Sequence, residues 1–186
     1  MFLITELIAF LCANLILTRA LGTSTMFIAA GSRKNLIGTA AVITVFTTIG
    51  SAFAYIIDSI LPQSLDDIRL LLYVAATGLI YVGLLFILKK FSGKNFVKYR
   101  RYVHISAFNC AVMGTIFTVS GTAENMGFFG YISAGLEAGA GFVAASLILT
   151  AAYRRLNSKR VPESFRGFPA MLVYLGIISM ALYALK

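Results

Sequence analysis

The sequence is poor in the residues from which soluble enzymes assemble their sites. Of 186 residues one is histidine and two are cysteine. No glycine-rich phosphate loop, HExxH or CxxC pattern occurs, which removes the familiar nucleotide, zinc-hydrolase and dithiol chemistries. Any chemistry is left to buried polar residues or to a cofactor shared with a partner. Polar surface is scarce as well. The chain is 59% hydrophobic with a mean hydropathy of +0.87, too apolar for a soluble globule of this length. Both cysteines, Cys12 and Cys110, lie in apolar runs, which argues against an extracellular disulfide framework. The first run lacks a small-residue cleavage site, and Arg19 follows it instead of preceding it, so it is expected to persist as a helix and not to be a removable signal.

What remains belongs in a bilayer. Six apolar stretches, near Phe2–Leu21, Leu36–Leu61, Leu70–Phe91, Tyr102–Val119, Gly127–Tyr153 and Phe168–Leu185, approach the ~20 helical residues that cross ~30 Å of hydrocarbon. The expected fold is all-α and polytopic, a single membrane domain over residues 1–186. The formal charge of +9 is sorted by loop and points to lipid, not nucleic acid. Fourteen of the sixteen basic residues lie between stretches 1 and 2 (Arg19, Arg33, Lys34), 3 and 4 (Lys89, Lys90, Lys94, Lys98, Arg100, Arg101) and 5 and 6 (Arg154, Arg155, Lys159, Arg160, Arg166). The alternate loops carry Asp58, Asp66, Asp67 and Glu124, with Arg69 as their cation. The positive-inside rule then places both termini outside the cytoplasm.

Three crossings per half make residues 2–91 and 97–185 run in opposite senses, an inverted repeat whose sites form near the midplane where helices are broken. Two breaks are expected. The first run continues apolar past Gly22-Thr23-Ser24-Thr25 and is too long for one straight crossing; the fourth stretch carries Asn109 in its middle, where a polar amide needs a partner or a freed backbone group. Stretches 2 and 5 are rich in Gly, Ala, Ser and Thr, which suits close helix packing.

The pentapeptide AFLCA at 9–13 is echoed by AFNCA at 107–111. Cys110 lies eight residues in from Tyr102, ~12 Å below the cytoplasmic edge, and Cys12 is comparably deep. Each is either a small apolar packing residue or a thiolate kept ionised by iron. Two cysteines do not supply the four thiolates of an iron–sulfur cluster, so the second reading requires another subunit. Glu6 lies near the outer end of its helix, within reach of headgroups. Glu137, within AGLEAGAGF, is a candidate for an ion or proton pathway, or a protonated group bonded to a neighbouring helix. His104 beside Arg100 and Arg101 reads as interface packing, and the Arg154–Arg160 cluster as topology-setting contact with anionic lipid or an acidic partner.

Asn109-Cys110-Ala111-Val112-Met113-Gly114 resembles the N-C-A-V-L-G motif of the RnfA/RsxA family, relatives of NqrE, and Val161-Pro162-Glu163-Ser164-Phe165-Arg166-Gly167 resembles its V-P-x-x-F-R-G. Asn14, Leu21-Gly22, Gly38, Gly141-Phe142 and Arg155-Leu156 extend the match along the whole chain. The resemblance implies a prokaryotic inner-membrane subunit of an ion-translocating ferredoxin:NAD⁺ oxidoreductase, non-catalytic by itself. It further implies a [2Fe–2S] cluster shared at mid-membrane with a homologous RnfE-type subunit, each contributing two cysteines from broken helices 1 and 4. Cys110 matches the fourth-helix ligand. The family's L-G-x-C-P reads Leu21-Gly22-Thr23-Ser24-Thr25 here, so Ser24 stands where a cysteine is expected, and Cys12 is twelve residues upstream, ~18 Å along a helix. A serine oxygen at Ser24, recruitment of Cys12, or an altered cluster are the three possibilities. His104 also replaces a proline and Glu137 a small residue. The competing readings are a secondary transporter or channel component using Glu137, and a purely scaffolding subunit.

Overall fold

The computed structural model of the chain describes residues 14–30, 33–61, 65–91, 96–122, 126–159 and 161–184. Among them every regular element is a helix: α1 (Leu15–Arg19), α2 (Thr23–Ala30), α3 (Arg33–Ile60), α4 (Asp66–Phe91), α5 (Phe96–Ala107), α6 (Cys110–Thr122), α7 (Phe128–Leu156) and α8 (Phe168–Ala184). In hydrocarbon a helix satisfies its own backbone, which is why the apolar runs take this form. Helices α3, α4 and α7 are each long and apolar enough to cross, and α5 with α6 qualifies as one crossing bent by 48°. The last apolar stretch forms α8, 17 residues long, ~25 Å. Most of the first stretch, including Glu6 and Cys12, lies outside the described residues.

Both expected breaks are present. Between α1 and α2 the chain turns through Ala20 (φ 55°) and Gly22 (φ 78°), two left-handed residues that no α-helix accommodates. Between α5 and α6 it turns at Phe108 and Asn109.

The core is organised by α3, which packs most extensively on α7 and also meets α4, α5 and α6. Small residues allow this. A Cβ on Gly135 would lie 2.7 Å from the Thr47 carbonyl oxygen, and one on Gly139 2.6 Å from the Thr44 methyl, so the two helices approach almost backbone to backbone. Phe46, Phe142, Ile116 and Leu149 fill the space beside this contact, each almost fully buried.

A polar knot closes one end of the bundle. Tyr73 of α4 donates to the Asp58 carboxylate at the end of α3, and Tyr131 of α7 donates to its other oxygen at 2.9 Å. Because the Tyr73 proton is committed to Asp58, the Ser120 hydroxyl of α6 donates to the Tyr73 oxygen at 2.6 Å. Arg69 stands 4.0 Å from Asp58 and donates to the Leu61 carbonyl at 2.8 Å. One carboxylate thus ties α3, α4 and α7 directly and α6 through Tyr73. Asp58→Ala removes the anion that two buried hydroxyls and a guanidinium face, and should cost on the order of 3 kcal/mol. The expected result is a clearly lower melting temperature of the detergent-solubilised protein, with a smaller drop for Tyr131→Phe; equal melting of Asp58→Ala and wild type would show that the knot contributes nothing.

Candidate metal and ion sites at two helix breaks

Each break frees backbone groups that water cannot reach, and each is repaired by a specific side chain. At the second break Asn109 occupies the cap position of α6. Its Oδ1 accepts the Ala111 N–H at 3.0 Å, and its carbonyl accepts Met113 N–H at 3.1 Å, so the first turn of α6 starts satisfied. The amide is 4% exposed, and its Nδ2 has no hydrogen-bond partner among the described residues. At the first break the Gly22 carbonyl accepts Met26 N–H at 3.0 Å. The Asn14 carbonyl receives Thr18 N–H at 3.0 Å and the Thr18 hydroxyl at 2.8 Å. The Asn14 amide donates across to the Gly141 carbonyl of α7 at 2.7 Å.

The two breaks touch. Gly22 N–H donates to Cys110 Sγ at 2.9 Å. Only glycine permits this approach: Gly22 is left-handed, and a Cβ there would lie 2.8 Å from Ala111 Cβ. Leu21 packs so closely on Gly114 that a side chain at 114 would overlap it. Cys110 is the first residue of α6, so its sulfur faces the positive end of that helix as well as the Gly22 amide. It is a free thiol at the surface of the chain.

Ser24 lies two residues beyond Gly22, in the first turn of α2, and is also exposed. The separation along the chain bounds its distance from Gly22 at ~7 Å. Ser24 thus stands close along the chain to the glycine whose amide meets the Cys110 sulfur. Among the described residues no three His, Cys, Asp or Glu side chains converge as a metal set. One thiol and one hydroxyl, both exposed and the thiol supported by a backbone donor, have the chemistry to supply part of a metal's ligand set. Among the described residues they do not complete a metal site.

Glu137 sits apart from this junction. It lies nine residues after Phe128 on α7, ~14 Å from that end, and is exposed. It lines a cleft of about 230 Å³ together with Asn14, Thr115, Thr118 and Thr122. Threonines 115, 118 and 122 escaped the sequence reading; their i, i+3, i+7 spacing, which puts them on one helical face, is the signal that would have found them. The Asp58 knot escaped it too, because tyrosine in an apolar stretch reads as packing. His104 lies at neither break. Arg100 donates to its Nε2 at 2.8 Å and Tyr81 bonds its Nδ1 at 2.6 Å. With Nε2 accepting from a guanidinium, the neutral ring carries its proton on Nδ1 and donates to Tyr81. Its role is to hold α5 against α4.

Comparison with known proteins agrees with the sequence resemblance. A family model described as Rnf-Nqr subunit, membrane protein, matches residues 3–186. In the Na(+)-translocating ferredoxin:NAD(+) oxidoreductase complex of Acetobacterium woodii, the A subunit is 24% identical over 170 residues, covering 90% of this chain and 88% of that protein. The A subunits of the ion-translocating oxidoreductase complexes of Aeromonas salmonicida (24%) and Yersinia enterocolitica (25%) align over 170 residues each, covering 90% of this chain and 87% of theirs.

Gly22→Ala tests the junction. A left-handed alanine costs ~1–2 kcal/mol, and the new methyl meets Ala111. The melting temperature should fall, and a membrane-permeant maleimide should modify Cys110 more slowly once the thiolate loses the amide that stabilises it. An unchanged labelling rate would mean that Gly22 does not hold the sulfur.

Proposed function

The chain belongs to the Rnf-Nqr family of membrane subunits, and from that premise we propose that it is the RnfA-type member of an Rnf-type electron-transport complex. In this reading it passes electrons across the bilayer through a [2Fe–2S] cluster shared with a homologous RnfE-type subunit, coupled to translocation of Na⁺ or H⁺. It is a non-catalytic subunit of a ferredoxin:NAD⁺ oxidoreductase. Its halves form a 3+3 inverted repeat in a prokaryotic cell membrane, with both termini outside the cytoplasm.

The observation that carries the proposal is the Cys110 sulfur, exposed at the point where two helix breaks meet and bonded there by the Gly22 amide. A structural cysteine in a membrane helix has no need of such surroundings: packing alone would be served by a sulfur buried in an unbroken helix. An outward thiolate in lipid is costly unless a cation holds it. When bound, the cluster supplies a one-electron redox centre. This chain's own contribution is a thiolate from Cys110, an oxygen from Ser24, and an amide donor that stabilises negative charge on the sulfur. A serine oxygen is a harder and more basic donor than a thiolate, so the Ser24 side should lower the reduction potential relative to an all-cysteine site.

Cys110→Ala should abolish the intramembrane iron–sulfur electron paramagnetic resonance signal of the purified, reduced complex while the complex still assembles, because the change in volume is small. Ser24→Ala and Cys12→Ala, made in parallel, identify the second ligand by the variant that lowers iron and sulfide content. An unchanged spectrum and iron content in an assembled Cys110→Ala complex would refute the reading.

A further inference from the structure

The cleft beside Glu137 takes no part in the junction at Cys110, and its lining has a chemistry of its own. The Thr115 hydroxyl donates to the Ala111 carbonyl at 2.8 Å, Thr118 to Gly114 at 2.7 Å and Thr122 to Thr118 at 2.9 Å. With their protons committed to the helix backbone, the three oxygens have only lone pairs to offer the cleft. They form a ladder along one face of α6, rising ~10 Å from Thr115, which is 3% exposed, to Thr122 at the helix end. That end is opposite the one at which Arg100 and Arg101 stand on α5. The facing wall, on α7, supplies the Glu137 carboxylate, which makes no ion pair or hydrogen bond among the described residues. Asn14, donating to Gly141, marks the inner limit.

An acceptor-only ladder and one carboxylate, between apolar walls that include Val119 and Ala138, repel anions and attract a hard cation. Low-dielectric walls strengthen that attraction. A divalent ion generally recruits several carboxylates or retains most of its waters. A single negative charge with neutral hydroxyl oxygens matches a monovalent ion that has shed part of its hydration. We propose that the cleft between α6 and α7 is a binding site for a partly dehydrated monovalent cation, Na⁺ in the first instance, with Glu137 as counter-charge and the hydroxyl oxygens of Thr115, Thr118 and Thr122 as ligands. The site deepens the proposed function by naming where this chain meets the coupling ion, yet it requires no cluster at Cys110.

The test is saturable binding of radioactive sodium ion to the purified complex containing this chain, in detergent, for wild type, Glu137→Gln and Thr118→Val. The wild type should hold a saturable sodium ion that Glu137→Gln loses or binds at least about tenfold more weakly, because a charge-assisted contact is removed. Thr118→Val, which keeps the shape and deletes one ligand oxygen, should weaken binding about threefold. If Glu137→Gln fails to assemble, the Thr118→Val affinity carries the test. Equal binding in wild type and variants, or no saturable sodium in wild type, overturns the proposal. The iron–sulfur signal recorded on the same preparations separates the two readings. A cluster signal without a Glu137-dependent sodium site defeats this inference alone, and a sodium site without the signal defeats the electron-transfer reading alone.

Discussion

Inside a bilayer an interrupted helix survives only if something other than water satisfies the backbone groups it releases, and the rest of this structure follows from that constraint. The repairs are specific to residue type. Asn109 serves because its side chain is short enough to cap the helix that starts one residue later, and Asn14 because its amide reaches a carbonyl on α7 that is already engaged within its own helix. Gly22 serves because only a residue without Cβ can adopt a left-handed turn against Ala111. The sulfur of Cys110 completes the set as an acceptor for an amide that would otherwise lie unpaired in hydrocarbon. Breaking two helices at the same place lets each one satisfy the other.

Such a junction needs a rigid frame, since a donor and a sulfur held 2.9 Å apart lose their contact if the helices slide. The frame is built at two levels. Between α3 and α7 the glycines at 135 and 139 leave no room for sliding without collision against Thr47 and Thr44. At the end of the bundle Asp58 gathers hydroxyls from α4 and α7, with Ser120 of α6 bonded to one of them. Dispersion in the seam and hydrogen bonding in the knot are complementary. The first fixes how close the helices come, and the second fixes their register along the membrane normal.

Much of this was legible in the sequence, and for identifiable reasons. Run length gave the crossings at α3, α4 and α7. The excess length of the first run, with glycine at 22, located one break, and a lone asparagine at 109 located the other, because backbone satisfaction in lipid leaves few reasons for either. What was not legible depends on tertiary partners. Tyr73 and Tyr131 are indistinguishable from packing aromatics until Asp58 is placed between them. The threonines of α6 are equally opaque, since threonine is tolerated in a membrane helix by bonding its own backbone, and the same bond conceals whether its oxygen also serves a ligand. The echo of AFLCA in AFNCA reaches outside the described residues, where Cys12 lies; what the described residues show is Ser24 two positions beyond the glycine that meets Cys110.

The exposure of Cys110 is the feature that most constrains what the molecule does. A thiol needed only for folding gains by burial, as Val112 and Ile116 on the same helix do, and nothing in the packing of α6 forces its first residue outward. At the break the sulfur is exposed, and Ser24, two residues beyond Gly22, is exposed as well. A polar rim facing lipid is unfavourable for an isolated chain and becomes favourable once a second surface covers it, because water and lipid are then both excluded from the sulfur while its amide donor stays in place. The fold holds the Cys110 sulfur in place beside its amide donor, so a surface that covered the sulfur would meet a group already positioned.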